Sequence, residues 1–267
     1  QRFEVGLIAI TGVHEAQARF DQARADEISA RNAVDNAFEA LLRITGRPVD
    51  SLAELQARIP LNSPEPAALE AWSDTALQNN PAVLSARINA DIARKQIQLR
   101  QAGGYPTVDL VGSYGVARSD ATFGTDSDTA TIGVQLNLPL YTGGRVTTGT
   151  RQARFQYEEA QERLEERRRV VQNRVRDAYR GVLTSISRVD ALAAAQVSAQ
   201  SALEATEAGF EVGTRTLVDV LNSQRDLFRA RRDFAQTRYE YILNTLRLMQ
   251  AAGTLELDDL QRVNTWL

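Results

Sequence analysis

Cysteine is absent from the 267 residues of this chain, so neither a disulfide framework nor a thiolate metal site can form. His14 is the only histidine, and a serine triad would have to depend on it. The chain has no run of about 18 apolar residues, the length that a transmembrane helix needs. No glycine-rich nucleotide fingerprint stands at a strand–helix junction. We therefore expect no catalytic residues, no metal site and no cofactor.

Aromatic residues are scarce as well, at 6% of the chain. Alanine, glutamine, arginine, glutamate and leucine dominate the long segments instead, a composition typical of coiled coils. The net charge of −3 and the pI near 5.4 argue against a surface for nucleic acid. The sequence therefore predicts a mainly helical protein without a nucleic-acid partner.

Two segments that lie 207 residues apart share a four-residue sequence and further identities. Phe3-Glu4-Val5-Gly6 recurs as Phe210-Glu211-Val212-Gly213, and further identities, such as Val13 with Val220, keep the same offset. Chance gives about one identity in twenty positions, so a tandem structural repeat explains the agreement better. The chain is therefore expected to begin inside one copy of a unit that it completes later.

Four helices are predicted, at 7–46, 81–101, 147–208 and 214–252. Seven-residue spacing supports the first, third and fourth, while Asn80, Pro81 and Gly103-Gly104 bound the second. A strict repeat of seven implies left-handed supercoiling, and a stripe of small residues lets another helix approach closely. Gly209 is expected to end the third helix, with a turn reaching Gly213. The residues spaced by seven are Ala16, Ala23, Ala30, Ala37 and Ile44; Val175, Val182 and Val189; and Val220, Leu227, Phe234 and Tyr241.

The stretch 47–80 differs in kind from the helices around it. Its four prolines break up short helical pieces such as Ser51–Arg58, and its apolar residues predict a small packed module. The tail 253–267 carries enough apolar residues to dock on that module. Asn80 and Pro81 predict the N-cap and the first residue of the helix that follows.

Between two of the helices the hydrophobic period changes to two, which predicts a β-hairpin. Thr107–Ala117 and Thr131–Leu140 alternate apolar and polar residues, and the polar loop 118–130 joins them. Each strand has about 10 to 11 residues, the length that crosses a bilayer in a tilted barrel. The apolar row of the second strand consists of Ile132, Val134, Leu136, Leu138 and Leu140.

Two interpretations of the hairpin stay open at this point. A soluble hairpin must bury the apolar row 132–140, whereas a membrane barrel presents that row to lipid. A two-stranded sheet is marginal alone, so further strands must come from another copy of the repeat or another chain. Tyr105 and Tyr141 lie at one end of the hairpin, where an aromatic girdle or simple packing would place them. The soluble alternative is a structural coiled-coil scaffold.

Four stretches carry a family resemblance: QRFEVGLIAI (Gln1–Ile10), YPTVDLVGSYG (Tyr105–Gly115), LNLPLYTGGR (Leu136–Arg145) and GFEVGTRTLVDVLN (Gly209–Asn222). Through them, and in register over its whole length, the chain resembles the TolC-type outer-membrane efflux proteins. The resemblance implies long antiparallel coiled-coil helices that form a periplasmic α-barrel. It implies that the strands contribute to a transmembrane β-barrel of a homotrimer, and that the first of the family's two hairpins precedes this chain.

The implied function is that of a passive exit duct in the outer membrane, in contact with its lipid and extending into the periplasm. Such a duct serves tripartite efflux or type I secretion, with a periplasmic adaptor and an inner-membrane transporter that selects the substrate. The implied segments are a tunnel helix of the first repeat (1–46), an equatorial mixed module (47–80), a tunnel helix (81–104), the outer-membrane hairpin (105–141), the tunnel helical hairpin of the second repeat (142–252) and a C-terminal equatorial segment (253–267).

The resemblance also implies two groups of site residues. The tips of the helical hairpins match the adaptor-contacting positions: Val5, Gly6, Leu7, Val212, Gly213 and Thr214. The entrance constriction comprises Asp219, Asn222, Arg215, Thr11 and Phe210. Asp219 matches a ring of carboxylates that would attract cations and gate the entrance. Asn222 stands where a second ring carries an acid, so a weaker field is expected.

The remaining constriction residues match the family's closing link in part. Arg215 matches the arginine of that link, and Thr11 matches one of its acceptors. Gly12 stands where the family pattern often has aspartate, and Phe210 lacks the hydroxyl of the usual tyrosine. We therefore expect a looser closed state. The alternative for Arg215 is an ordinary surface arginine, and Gly213 makes the turn in either case.

Overall fold

A computed structural model describes residues 10–118 and 126–267. These residues form a mainly helical chain with one two-stranded antiparallel sheet, which confirms the predicted mainly α class with a hairpin. No helix in these two ranges combines the length and apolar character that a membrane span requires. The elements are α1 Ile10–Thr45, α2 Leu69–Asn79, α3 Pro81–Ala102, β1 Thr107–Ala117, β2 Ser127–Asn137, α4 Arg145–Glu211, α5 Leu217–Ala252 and α6 Leu257–Asn264.

The chain divides into two compact units. The first unit comprises Gln1–Asp74 with Arg174–Leu267, and the second comprises Thr75–Asn173. In the first unit the seven-residue pattern predicts the buried seam of α4 and α5 correctly, whereas on α1 Ala23, Ala30, Ala37 and Ile44 are exposed. The buried residues of that seam are Val175, Val182 and Val189 on α4, and Val220, Leu227 and Tyr241 on α5.

Predicted caps are confirmed at two helices. The side chain of Asn80 accepts a hydrogen bond from the backbone N–H of Ala82, and Pro81 occupies the first turn of α3. Gly253 ends α5 with a φ of 74°, in the left-handed region that favours glycine. These ends follow from local side-chain chemistry, so the sequence is sufficient to predict them.

The predicted end of the third long helix is wrong. α4 continues through Gly209 to Glu211, and the chain reverses at Gly213, whose φ is 78°. Gly209 does not end the helix. A side chain at this position would collide with Arg215, because a Cβ there would lie 2.7 Å from Cγ of Arg215. The return helix α5 accordingly begins at Leu217 and not at residue 214.

The short helix predicted at Ser51–Arg58 does not form. The backbone N–H of Gln56 donates to the carbonyl oxygen of Trp266 at 2.9 Å, and its side-chain amide donates to the carbonyl of Thr265 at 3.1 Å. An α-helix would direct that N–H to the carbonyl four residues earlier, so docking of the tail replaces the helical hydrogen bond. The tail itself contains α6, which the sequence pattern did not indicate.

The first predicted strand is confirmed, whereas the second is displaced toward the N-terminus. β1 pairs with β2 from Thr107 opposite Asn137 to the far end of the hairpin. Because β1 begins at Thr107, its partner strand ends at Asn137, and Pro139 has no N–H to extend the ladder. Leu138 and Leu140 of the predicted apolar row therefore lie beyond the strand.

The pairing register separates the hairpin into an apolar and a polar face. Val108 lies opposite Leu136, and Leu110 lies opposite Val134, so these side chains share one face. The other face carries pairs such as Asp109 with Gln135. Every residue of both strands is exposed. Neither face is buried within the described parts of the chain.

A buried tyrosine fastens the irregular segment before α2 to helix α5. Tyr241 is 2% exposed, and its hydroxyl accepts from the N–H of Asn62 at 2.9 Å. The same hydroxyl donates to the carbonyl of Asn62 at 3.1 Å. One side chain thus satisfies both backbone groups of a residue that lies outside regular secondary structure.

We predict that Tyr241→Phe loosens this attachment, because the N–H and C=O of Asn62 both lose their partner. The expected cost is about 1–3 kcal/mol, typical of a polar group left unsatisfied. Hydrogen exchange at Asn62 measures it and should be faster than in the wild type. Tyr239→Phe is the matched control, since Tyr239 is 47% exposed. Equal exchange at Asn62 in both variants and the wild type would contradict the prediction.

Candidate functional site at the turn between α4 and α5

The turn between α4 and α5 is closed by one backbone carbonyl. The carbonyl oxygen of Gly209 accepts from the N–H of Thr214 at 2.8 Å and from the N–H of Arg215 at 3.1 Å. The Thr214 hydroxyl donates to the same oxygen at 3.0 Å. Val212, at the tip, is 76% exposed, and Gly213 beside it is exposed as well. The turn is therefore tightly made, and its predicted contact residues face solvent.

The other predicted tip lies outside the described residues. Val5, Gly6 and Leu7 belong to the range 1–9, whereas Val212, Gly213 and Thr214 lie in the described part of the chain. Thr11, in the first turn of α1, is described and exposed.

Asp219 has a structural role that the sequence analysis missed. Its carboxylate accepts from the backbone N–H and from the hydroxyl of Thr216, both at 2.9 Å. In return, Oγ1 of Thr216 accepts from the N–H of Asp219 at 3.3 Å. This is a reciprocal capping box at the start of α5. The pattern Thr-x-x-Asp before an apolar run is its signal in the sequence.

The capping box also sets the charge of Asp219. Hydrogen bonds from the backbone and then the side chain of Thr216 lower the pKa of Asp219, and the positive charge of Arg215 lowers it further. Each of these contacts favours the ionised carboxylate. The geometry therefore keeps a negative charge on Asp219 at neutral pH.

The structure brings some of the predicted constriction residues together but not all of them. Cβ and Cγ of Arg215 lie against Gly209, while Phe210 packs on a cluster that contains Leu203 and Val220. Phe210 therefore makes an apolar contact at the position where the tyrosine of the family pattern would place a hydroxyl. Among the described side chains, no hydrogen bond joins Arg215 to Thr11.

Asn222 is joined to the first helix through a residue that the sequence did not indicate. Nη2 of Arg19 on α1 donates to Oδ1 of Asn222 on α5 at 3.1 Å. The two residues are 203 positions apart, and no local pattern pairs them. The position at which a second acid was expected therefore carries a neutral side chain that accepts a hydrogen bond from a cation.

Two further hydrogen bonds join α4 to α5 beside the site. The hydroxyl of Ser223 donates to the hydroxyl of Thr206 at 3.2 Å, and the amide of Gln224 donates to the carboxylate of Glu207 at 3.5 Å. No group of His, Asp or Glu within the described ranges could hold a metal ion. The site therefore provides a charged carboxylate, that of Asp219, and hydrogen bonds that join neighbouring helices.

Residues 1–47 and 72–254 match the family described as "Outer membrane efflux protein". The chain belongs to this family. Outer membrane protein TolC of Vibrio cholerae serotype O1 is 44% identical over 272 residues, which cover 100% of this chain and 62% of that protein. Alkaline protease secretion protein AprF of Pseudomonas aeruginosa is 33% identical over 267 residues, which cover 98% of this chain and 56% of that protein.

The solved structures support the same fold. The crystal structure of the outer membrane protein VceC from Vibrio cholerae has a TM-score of 0.76 at 24% identity, with 94% of this chain and 60% of that chain covered. The chain spans little more than half the length of the proteins that it matches. As a member of this family it is an outer-membrane protein and not an enzyme.

We predict that Thr216→Ala frays the first turn of α5, because the N-cap hydroxyl is lost. The expected cost is about 1 kcal/mol, visible as faster hydrogen exchange in residues 217–220. The pKa of Asp219 should rise only part of the way toward its ordinary value, because the backbone N–H of residue 216 still donates to the carboxylate.

The same variant has a defined dependence on pH. The lowered pKa of Asp219 means that its contribution to stability is present above the ordinary carboxyl value of about 4. That contribution is lost as the pH falls through the lowered pKa. Protection of residues 217–220 should therefore decrease at a higher pH in Thr216→Ala than in the wild type. Identical pH profiles would contradict a role for the Thr216 side chain.

Proposed function

We propose that this chain forms part of a homotrimeric exit duct that crosses the outer membrane and extends into the periplasm. The duct is a passive conduit, gated at its periplasmic entrance by residues of the α4–α5 turn. A periplasmic adaptor connects it to an inner-membrane transporter, which supplies the energy and selects the substrate. The observation that carries this proposal is the fully exposed hairpin, with one apolar and one polar face, on a chain of the efflux family.

The two faces of the hairpin have the distribution that a membrane barrel requires. Ile132 is 84% exposed, Val134 is 73% exposed and Leu136 is 65% exposed. Their face would contact lipid, while the face with Asp109 and Gln135 would line the aqueous interior. Two strands cannot close a barrel, so further strands from the same protein and its symmetry partners must complete it.

The alternative function is that of a soluble coiled-coil scaffold. A soluble hairpin would need to bury the apolar row, since a large exposed apolar patch favours aggregation. Within the described structure that row is exposed along its whole length. The duct accounts for the exposure because lipid covers the row. The scaffold has no element in the described ranges that does so.

The entrance of the proposed duct is controlled by charge. Three copies of Asp219 around a threefold axis would repel one another and attract cations. The hydrogen bonds from Thr216 keep the carboxylate ionised, against the rise in pKa that neighbouring carboxylates cause. Asn222 adds no charge to the ring and is attached to α1 through Arg19. The turn residues Val212, Gly213 and Thr214 would contact the adaptor.

We predict that Asp219→Asn lowers the cation selectivity of the full-length protein in a planar bilayer by a few-fold. Removing the charge removes the attraction for cations at the entrance. Thr216→Ala is the matched control, because it weakens the same capping box, while the backbone N–H of residue 216 and the charge of Arg215 still favour an ionised Asp219 at neutral pH. Selectivity that falls equally in both variants would assign the effect to the helix cap and contradict an electrostatic gate. A protein that forms no channels at all would favour the scaffold.

We also predict that Arg215→Ala raises single-channel conductance of the full-length trimer. Arg215 packs on Gly209 and lies in the proposed closing link, so its loss should leave a more open entrance. Arg229→Ala, at a position where the side chain is 57% exposed, serves as the control and should conduct like the wild type. Unchanged conductance in Arg215→Ala would show that Arg215 is not part of the closing link.

A further inference from the structure

A cleft of about 550 Å³ lies in the second unit, where α3 ends and α4 begins. It is distinct from the gate residues and plays no part in the function proposed above. The guanidinium-bearing residues Arg100 and Arg145 both line it. Two glycines, Gly103 and Gly149, form part of its wall. Gly149 lies against the Arg100 side chain, because a Cβ at Gly149 would be 3.9 Å from Cδ of Arg100.

Positive charge is concentrated around this cleft. The ranges 94–104 and 142–157 contain no aspartate and no glutamate, although the whole chain has a net charge of −3. Acidic residues return directly afterwards on α4, beginning with Glu158 and Glu159. The cations in the two ranges, all exposed, are Arg94, Lys95, Arg100, Arg145, Arg151 and Arg154.

Among the residues that the structure describes, the two arginines of the cleft have no partner. Elsewhere, arginines such as Arg163 on α4 form ion pairs with a nearby carboxylate. The side chains of Arg100 and Arg145 form no hydrogen bond or ion pair with any residue that the structure describes, and no acidic residue lines the cleft. Guanidinium groups bind phosphate in a bidentate manner, so the cleft offers an unused site for an anion.

Apolar and aromatic surface borders the cationic region on the side of the hairpin. Tyr105 is 64% exposed, Tyr141 is 90% exposed and Leu140 is 88% exposed. They stand within five residues of Arg100 or Arg145 in the chain. A soluble anion needs no apolar surface beside it. A phospholipid needs both, since its phosphate lies next to the interface and its acyl chains lie beyond.

We infer that this cleft binds the phosphate headgroup of an anionic phospholipid, in the leaflet on the helical side of the membrane. Arg100 and Arg145 hold the headgroup, and the other four cations, which lie within nine residues of one of them in the chain, add positive charge to the region. The two tyrosines and the apolar row lie against the acyl chains. The inference rests on the proposed membrane role of the hairpin and adds a lipid-binding site that fixes the depth of the hairpin in the bilayer.

Native mass spectrometry of the full-length protein, released from nanodiscs of phosphatidylglycerol and phosphatidylcholine, tests this inference. The wild type should retain phosphatidylglycerol preferentially. Arg100→Gln with Arg145→Gln should reduce that retention several-fold, to the level of phosphatidylcholine. The matched control is Arg167→Gln with Arg174→Gln. These substitutions remove the same charge from exposed positions on α4 and should leave retention unchanged.

Three results would overturn the inference. Equal retention of phosphatidylglycerol in the cleft variant and in the control would show that these arginines do not select the headgroup. Competition by soluble glycerol phosphate as effective as that by lipid would show a site for a free anion. A preference that persists unchanged in high salt would contradict a charge-based contact.

Bilayer conductance of the same samples separates this inference from the proposed function. Channels that conduct normally without a preference for phosphatidylglycerol would overturn the lipid site alone. A protein that neither enters the bilayer nor conducts would overturn the duct and the lipid site together.

Discussion

The seam between α4 and α5 is the contact on which the first unit depends. Valines spaced by seven on α4 are buried opposite apolar residues of α5, so the two helices must run side by side in one register. The register is reinforced in the seam by Asn244, whose amide donates to the hydroxyl of Ser185 at 2.9 Å. Because the helices are held in this way, the turn that joins them is tight and Gly209 has no room for a side chain. The geometry of the candidate gate follows from this packing.

The candidate gate combines two roles in the same residues. Asp219 caps α5 and supplies the charge of the proposed ring, so stability of the helix end and selectivity at the entrance share one carboxylate. Asn222 is neutral, and its side chain is engaged by Arg19 instead of adding to the ring. Where the family pattern has two acidic residues, this chain has one, Asp219. The second position is Asn222, which forms a hydrogen bond with another helix instead. In the proposed duct we expect this to give a looser electrostatic barrier, while the hydrogen bond from Arg19 attaches α1 to α5.

The second unit depends on a different constraint, which is the exposure of its hairpin. β1 and β2 pair with each other, and nothing in the part of the chain that the structure describes covers the outer edges or the faces of the hairpin. Such an element is stable only when something covers the apolar face and pairs with the edges. Lipid and neighbouring strands satisfy both needs in the proposed barrel. The cationic cleft at the base of the hairpin extends this arrangement to the headgroup region, since positive charge begins where the apolar surface ends.

Local chemistry by itself determined the existence of the four long helices, the start of α3, the end of α5 and the first strand. The spacing of Val175, Val182 and Val189 predicts the buried side of α4, and Asn80 with Pro81 predicts the start of α3, because these signals act within a few residues. Only the tertiary structure decided that Gln56 bonds to the tail rather than to a helix of its own, and that Asn222 meets Arg19. Those contacts join residues about 200 positions apart, and no periodicity within a segment encodes which distant partner will compete for a hydrogen bond.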